Sequence, residues 1–494
     1  MNGRSREVAL LATTTLASLW VSAWLPLSSQ EAYYWLYAQH PALSYFDHPP
    51  MDAWWIWIGT HLLGNGALGV RIGTILSGLT TALLGLALLR RFDVGERGRA
   101  LWLIATVTVP ALFATRFLAN PDPPLLVFWT ATMLALWCAR NGDLRWWLAA
   151  GAAAGAAGLS KYSAAFLLPS GIAILTLDPK MRTQLRSVKP YLAVLVAAVV
   201  FLPVLAWNVS HDFASFRFQT ARRYAGVRFA PGRVFEFAGI QTVITNPLFL
   251  PIVALTGLWL WRQAKRRDMR AIWLLAFALP IPLYMLANSP FMRIKANWLT
   301  PAYVPLGLAA ACWFQETRWT TLRATTRRLA ILGCVIASAT ILLSPLSCLL
   351  PANRGSTLNG WPEVARSARK WQRAYRSDRA GAAFYFAADY KDAAQLSHAL
   401  ATLAPPAPPV LAQNVFGRSA LQFNYWQHPR DFVGKTAIFV LPRANSRPAE
   451  IEKVRGYFAR LERLETVRVR RLGVSVIEAA IFACHDYRGP SRSH

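Results

Sequence analysis

Acidic residues are scarce in this chain: 24 Asp and Glu stand against 53 Lys and Arg in 494 residues, and charged residues of both signs make up only 16%. A soluble domain needs a more heavily charged surface than that. Cysteine is equally sparse. The five present (Cys138, Cys312, Cys334, Cys348 and Cys484) form no CxxC pair, and four lie in or beside apolar segments. That spacing argues against a disulfide framework and against a zinc site. A repeat of solenoid type is also missing.

What is abundant is apolar surface. Hydrophobic residues make up 54% of the chain, 21 of them tryptophan, and the mean hydropathy is +0.29. The apolar residues come in blocks close to the ~20 residues needed to cross a hydrocarbon core roughly 30 Å thick. The fold class expected is therefore a polytopic α-helical membrane protein. A net charge of +29 would point to nucleic acid in a soluble chain. Here the cations fall mostly in short loops between apolar blocks, where they set topology, so no nucleic-acid partner is expected. The opening MNGRSR and the run behind it read as an uncleaved first span, because the run is long and lacks a convincing small-residue cleavage site.

About eleven spans are expected, over 7–28, 67–89, 100–117, 124–139, 146–160, 163–178, 191–208, 238–261, 271–287, 298–314 and 328–349. Alternate loops then collect the basic residues, among them Arg4 and Arg6, Arg90 and Arg91, Arg182 and Arg186, and Arg262 to Arg270. The positive-inside rule assigns these to the cytoplasm. Residues 28–66, 116–123, the end of the fifth span near Lys161, 208–237 and 288–297 then face outward, as does the tail after about residue 350. The tail is less apolar and broken by "LAPPAPPV". Its β-like runs "AAFYFAA" and "TAIFVLP" alternate with amphipathic stretches such as "AEIEKVRGYFARLERL". Residues 1–350 are read as a transmembrane domain and 351–494 as a small external α/β domain.

Ionisable residues are expensive inside a bilayer, and the spans are nearly free of them in their middles. They collect at outward ends instead, in five places. In "SSQEAYYWLYAQHPALSYFDHPPM", Glu31 and Asp47 stand sixteen residues apart, spaced so that a loop or short helix can fold back and bring them together. Either carboxylate suits proton removal from an acceptor, and Asp47 with His48 suits a divalent cation. Tyr34, Tyr45 and their aromatic neighbours serve equally as a sugar platform or as an interfacial belt. The Pro49–Pro50 pair stops a helix and favours a shaped loop. In "ANPDPPLL", Asp122 is either a helix cap or a site residue. In "GLSKYSAAF", Lys161 and Tyr162 are either snorkelling residues or a contact for a lipid phosphate. The segment "FASFRFQTARRYAGVR" carries Arg217, Arg222 and Arg223 among aromatics, a composition suited to anionic headgroups and bidentate phosphate contacts. In "FMRIKANWLTPAY", Arg293 and Lys295 offer a further phosphate contact or an anchor for the next span.

The order of these segments, with "VRIGTILSG" between the first two, resembles the bacterial family of ArnT-like and protein O-mannosyltransferase-like membrane glycosyltransferases. The resemblance runs over roughly residues 8–350. It implies a GT-C fold and a polyprenyl-phosphate sugar as donor. Such enzymes carry an Asp-Glu pair at the start of the first external loop and a later acidic residue followed by a basic residue and prolines. The later element is intact as Asp47-His48-Pro49-Pro50. The first departs, since Gln30 precedes Glu31, and an amide takes up no proton near neutral pH. The resemblance thus makes Glu31 the expected base or acceptor-orienting residue, with Asp47 as second catalytic carboxylate and His48 at the acceptor or a metal. Lys161 and the arginines of 217–228 become donor-phosphate contacts.

The expected activity is inverting transfer of a sugar to lipid A, another envelope glycolipid or a protein, at the outer face of a bacterial inner membrane. The N-terminus would be cytoplasmic and the tail periplasmic. No cofactor is required by this reading, and a divalent metal stays open. The rivals are a lipid-linked sugar transporter or flippase, and a catalytically silent relative that only binds. A transporter would place ionisable residues at mid-bilayer and often repeat its spans.

Overall fold

The computed structural model describes residues 3–222, 228–317, 319–349, 359–375, 384–403 and 408–490, with the backbone alone described at 221 and 222. The chain divides into two compact units. One comprises Met1–Val21, Leu43–Trp55 and Arg71–Leu342, the other Ser22–Ala42, Ile56–Val70 and Leu343–His494.

The first unit is helical. Among the described residues, six helices are long and apolar enough to cross a membrane: Gly3–Trp24, Ala67–Arg91, Asp122–Ala139, Lys189–Ser210, Met269–Asn288 and Ala324–Leu342. Arg233–Thr245 and Pro247–Lys265 make a seventh if the pair, bent by 86°, counts as one span. The other expected spans coincide with shorter helices: Glu96–Thr108 with Pro110–Ala114, Leu144–Ser160, Tyr162–Leu177 and Thr300–Glu316. Proline explains the interruptions. Pro110 and Pro280 each begin a new helical segment where one continuous span was expected, because a proline lacks the N–H that would continue the ladder and clashes with the preceding turn.

Close packing is set by small residues. The Leu144–Ser160 helix carries glycines on the face turned to Lys189–Ser210, and a Cβ added at Gly151 would stand 2.2 Å from the Ala193 carbonyl oxygen. Backbones can approach this closely only where side chains are minimal. Trp102, Trp129, Trp273 and Phe277 fill the core.

Ion pairs tie the basic loops together at one end of this unit. Glu7 accepts from Arg90 and from Arg99 Nε at 2.6 Å. Asp178 accepts from Arg140 at 2.6 Å and from the Trp273 indole at 2.8 Å. Arg270 reaches Asp268 at 2.7 Å and Glu316 at 3.2 Å.

In the second unit a five-stranded sheet has the order β2-β1-β3-β5-β4, from β1 (Phe384–Ala387), β2 (Val410–Leu411), β3 (Ala437–Pro442), β4 (Phe458–Arg471) and β5 (Val474–Tyr487). β1 runs parallel to both β2 and β3, and β5 is antiparallel to β3 and β4. β1 and β3 are buried along their whole length, as the short continuous apolar runs of the sequence imply. The amphipathic stretch 449–464 does not stay one element: Pro448–Arg455 is helical, and β4 begins at Phe458. Pairing with β5 along 14 residues outweighs local helical preference. Leu472 and Gly473 both have positive φ, 47° and 81°, which closes the tight β4–β5 hairpin.

Residues 28–66 contain two helices, Ser29–Gln39 and Met51–Leu63. Pro49 and Pro50 precede the second helix instead of ending the first, a correction to the expected helix stop. Proline's fixed φ suits an entrance as well as an exit.

Candidate functional site

Glu31 and Asp47 fall in different units, and each has its own supporting structure. Glu31 lies in the first turn of the Ser29–Gln39 helix and is 1% exposed. The Ser28 N–H donates to Glu31 Oε2 at 2.9 Å, and the Glu31 N–H donates to Ser28 Oγ at 3.2 Å. This is a reciprocal capping box. The carboxylate thus satisfies a backbone donor that a helix start otherwise leaves open. Gln30, at the position where the resemblance leads one to expect an acid, is half-buried.

The aromatics beside Glu31 are interior. Tyr33, Tyr34, Trp35 and Tyr37 are all buried. Tyr34 meets the Tyr37 ring edge-on at 5.6 Å. Tyr33 packs edge-on against Tyr390 and stacks on Phe423, and its hydroxyl oxygen accepts from the Gln422 N–H at 3.1 Å. Gln395 donates to the Leu27 carbonyl at 2.8 Å. His398 bonds the Asn65 carbonyl at 2.8 Å and lies edge-on to Trp35. Burial holds the His398 imidazole below its ordinary pKa, opposed by that bond and by the charge of Glu31. The Ser29–Gln39 helix is therefore seated on the Tyr390–Leu403 helix. A belt facing lipid would leave these rings exposed.

Asp47 belongs to a turn in the first unit, where the Tyr45 N–H donates to the His48 carbonyl at 3.2 Å. A second segment clamps that turn. Ser215 Oγ donates to the Tyr45 carbonyl at 2.8 Å, Gln219 Nε2 donates to the Asp47 carbonyl at 2.8 Å, and Phe46 packs on Phe218 at 4.8 Å. Tyr162 meets Phe216 edge-on at 5.8 Å, and its hydroxyl faces Ser215, Asn208 and Ser44. Tyr45 and Asp47 are buried. Arg217 is exposed on the same clamping segment, which ends in a single π turn, Phe218–Arg222. Arg223 lies outside the described residues.

The third cluster joins three parts of the first unit. Lys161 Nζ donates to Asp122 Oδ1 at 2.6 Å, and Asn297 Nδ2 donates to Asp122 Oδ2 at 2.6 Å. Lys161 also reaches the Asn297 carbonyl at 3.4 Å. Asp122 is 1% exposed and Lys161 7%. Neither bland expectation holds. The Asp122 side chain caps no helix, since Pro121 is the N-cap residue and no side-chain cap bond forms; Lys161 is buried and does not reach for water.

Arg293 is exposed and pairs with Glu236 at 3.5 Å. Lys295 is exposed just before the Ala296–Leu299 turn. Among the described residues no group of three or more His, Cys, Asp and Glu gathers, so Asp47 and His48 have no third side chain of these types beside them.

One residue escaped the sequence reading. Arg116 is 2% exposed and donates to Ser18 Oγ at 3.2 Å, the Gly78 carbonyl at 3.0 Å, Thr106 Oγ1 at 3.4 Å and Thr14 Oγ1 at 3.2 Å. It stitches three helices with neutral acceptors. The available signal was Thr14 and Ser18, polar residues four apart on one face of an otherwise apolar first span.

Comparison with known proteins bears on these positions. Residues 47–207 match the family described as dolichyl-phosphate-mannose-protein mannosyltransferase. The lipid A galacturonosyltransferase RgtD of Rhizobium johnstonii is 32% identical over 328 residues, 65% of this chain and 66% of that protein. The undecaprenyl phosphate-alpha-4-amino-4-deoxy-L-arabinose arabinosyl transferase of Pseudomonas paraeruginosa is 29% identical over 290 residues, 56% of this chain and 51% of that one. The matched stretch thus spans just under two thirds of the first relative and about half of the second. In fold, the crystal structure of ArnT from Cupriavidus metallidurans in the apo state covers 96% of this chain, and this chain covers 97% of it, at a TM-score of 0.64 and 16% identity. The same protein bound to undecaprenyl phosphate gives 0.63 and 17%. The family match spans Asp47, Asp122 and Lys161, and the fold of ArnT extends along nearly the whole chain, so the chain is similar in sequence and in fold to ArnT-like membrane glycosyltransferases.

Proposed function

We propose that this protein transfers a sugar, with inversion, from a polyprenyl-phosphate donor to lipid A or another envelope glycolipid. The observation that carries the reading is the clamped Asp47 turn: a buried carboxylate residue held by Ser215 and Gln219 on a segment that also bears Arg217 and Arg222. A leaving phosphate needs cations and an attacking hydroxyl needs a base, and the clamping segment and the Asp47 turn carry residues of both kinds within one unit.

Asp47 takes the proton of the acceptor hydroxyl. The acceptor oxygen attacks the anomeric carbon from the face opposite the phosphate, the anomeric C–O bond breaks, and its electron pair leaves on polyprenyl phosphate. Arg217, Arg222 and Arg223 meet the phosphate charge. Glu31, already spent on one cap bond, orients the acceptor. His48, Tyr45, Tyr162, Arg293 and Lys295 complete the substrate contacts in the same unit, and the Asp122–Lys161 pair braces it; Tyr34, in the other unit, is proposed as a sugar contact on its own. Should a divalent cation take part, Asp47 and His48 are its ligands in this chain; no step above is routed through it.

The reading includes a topology. About eleven spans cross a bacterial inner membrane, with the N-terminus cytoplasmic, residues 1–350 as the transferase domain around the outer loop 28–66, and residues 351–494 as a periplasmic α/β domain. What relatives are named for supports the donor and acceptor classes: lipid A for one, an undecaprenyl-phosphate sugar for another.

The test is transfer of a labelled sugar from polyprenyl phosphate to lipid A by purified protein in proteoliposomes, read by mass spectrometry. Labelled lipid A supports the reading. Label moved to protein redirects the acceptor class, movement of intact donor between leaflets favours a flippase, and binding without turnover favours a silent relative.

A further inference from the structure

The basic end of the first unit holds a cavity of about 300 Å³, far from the Asp47 turn and from the Asp122–Lys161 pair along the chain. That is room for roughly ten water molecules at ~30 Å³ each, the scale of a lipid headgroup. Trp259, Arg262 and Arg266 line it from one helix, and Trp313 and Glu316 from another. Arg262 and Arg266 are four residues apart and so share a helical face. Among the described residues neither forms an ion pair or side-chain hydrogen bond, although carboxylates lie close by.

Those carboxylates are occupied. Glu316 Oε2 accepts from the Trp259 indole at 2.7 Å and from Gln263 at 3.2 Å, while Oε1 accepts from Arg270 at 3.2 Å. Asp268 is held by Arg270 at 2.7 Å. The inner wall is thereby neutralised, and the exposed Arg262 and Arg266 remain in the lining. Outside the cavity the same helix exposes Leu250, Val253 and Trp261, and Leu258 is exposed at the cavity's apolar edge, a surface suited to hydrocarbon. It gives way to Arg262, Lys265, Arg266 and Arg267 at its end. A cavity at an apolar-to-basic boundary, lined by two unpaired arginines and two buried tryptophans, matches one occupant.

We propose that this cavity binds an anionic phospholipid, its phosphate between Arg262 and Arg266 and its acyl chains along the Leu258 side of the helix. Guanidinium forks suit phosphate oxygens geometrically, and each cation near a membrane surface adds attraction for an anionic headgroup. Topology alone accounts for basic residues here, but it does not account for two of them lining a cavity while Glu316 is satisfied elsewhere. The assignment is independent of the glycosyl-transfer reading.

Native mass spectrometry of the purified full chain tests it, with phosphatidylglycerol and phosphatidylcholine supplied in equal amounts. The wild-type protein should retain one phosphatidylglycerol in preference by about tenfold. Arg262→Gln with Arg266→Gln should abolish that preference. Lys265→Gln with Arg267→Gln, exposed at the same end but outside the cavity, should keep it. Absence of preference in the wild-type protein overturns the proposal whatever the variants do. Equal loss in both variant pairs also overturns it, by showing diffuse surface attraction, and so does full displacement of the lipid by millimolar inorganic phosphate, by showing a free-phosphate site.

Discussion

Lys161 and Asp122, 39 residues apart in the chain, form a buried ion pair at 2.6 Å that Asn297 completes from a third segment. Removing one partner strands the other charge in a poorly solvated place. Lys161→Met or Asp122→Asn should each lower stability by about 3–5 kcal/mol. The loss should appear as a drop in melting temperature in detergent. The double variant Asp122→Leu with Lys161→Met should recover much of it, because no unpaired charge remains.

The clamp grips the Asp47 turn through the backbone carbonyls of Tyr45 and Asp47, bonds that an Asp47→Asn change leaves in place. Asp47→Asn should retain the wild-type melting temperature and lose transfer by about 10²-fold or more. A labelled-donor turnover assay checks this. Wild-type turnover would remove Asp47 from the chemistry.

Glu31 separates two roles. Glu31→Gln preserves an acceptor for the Ser28 N–H, and a capping box tolerates glutamine at that position. It should leave stability intact while lowering transfer through its effect on the acceptor. Glu31→Ala should additionally destabilise by about 1 kcal/mol. Paired melting and turnover measurements distinguish a cap alone, in which Glu31→Gln is silent in both, from a cap with a catalytic duty.

The arginines of 217–223 should act on donor use. Arg217→Ala, and Arg222→Ala with Arg223→Ala, should raise the KM for the polyprenyl-phosphate sugar with little change in the KM for acceptor. Steady-state kinetics with each substrate varied in turn would show it.

Asp392 supplies a pH prediction in the α/β domain. Burial, aggravated by the neighbouring Asp389 charge and opposed by Arg447, pushes its carboxyl up to about 7. A raised folded-state value means that the folded state binds more protons than the unfolded state between ~4 and ~7. Stability is therefore greatest below the unfolded-state value and falls as pH rises through that window. Hydrogen exchange of the Tyr390–Leu403 helix in the full chain should quicken between pH 5 and pH 7.5 beyond the intrinsic rate change. Asp392→Asn should flatten that response.

Much of the architecture was legible because a bilayer leaves few alternatives. A run of ~20 apolar residues must satisfy its own backbone, so helical counterparts stand at every expected span. The runs over 382–388 and 436–442 likewise announced β1 and β3, since short continuous apolar segments need a covered strand. The β4–β5 hairpin was obscured because the first residues of β4 also carry a helical pattern, and only pairing with β5 decides between them.

The candidate site was less legible. Composition left Tyr34 and its neighbours between a sugar platform and a belt; the contacts that bury them come from residues more than 350 positions away, such as Tyr390 and Phe423. Asp122 reads as a cap in any local window, and its lysine partner is invisible there. Local physics, hydropathy above all, was enough to place the long apolar helices. Tertiary structure alone decided which carboxylates are paired, which aromatics are interior and which arginines line a cavity. Those outcomes depend on through-space neighbours, and the energy of a buried charge depends far more on its partners than on its position in the chain.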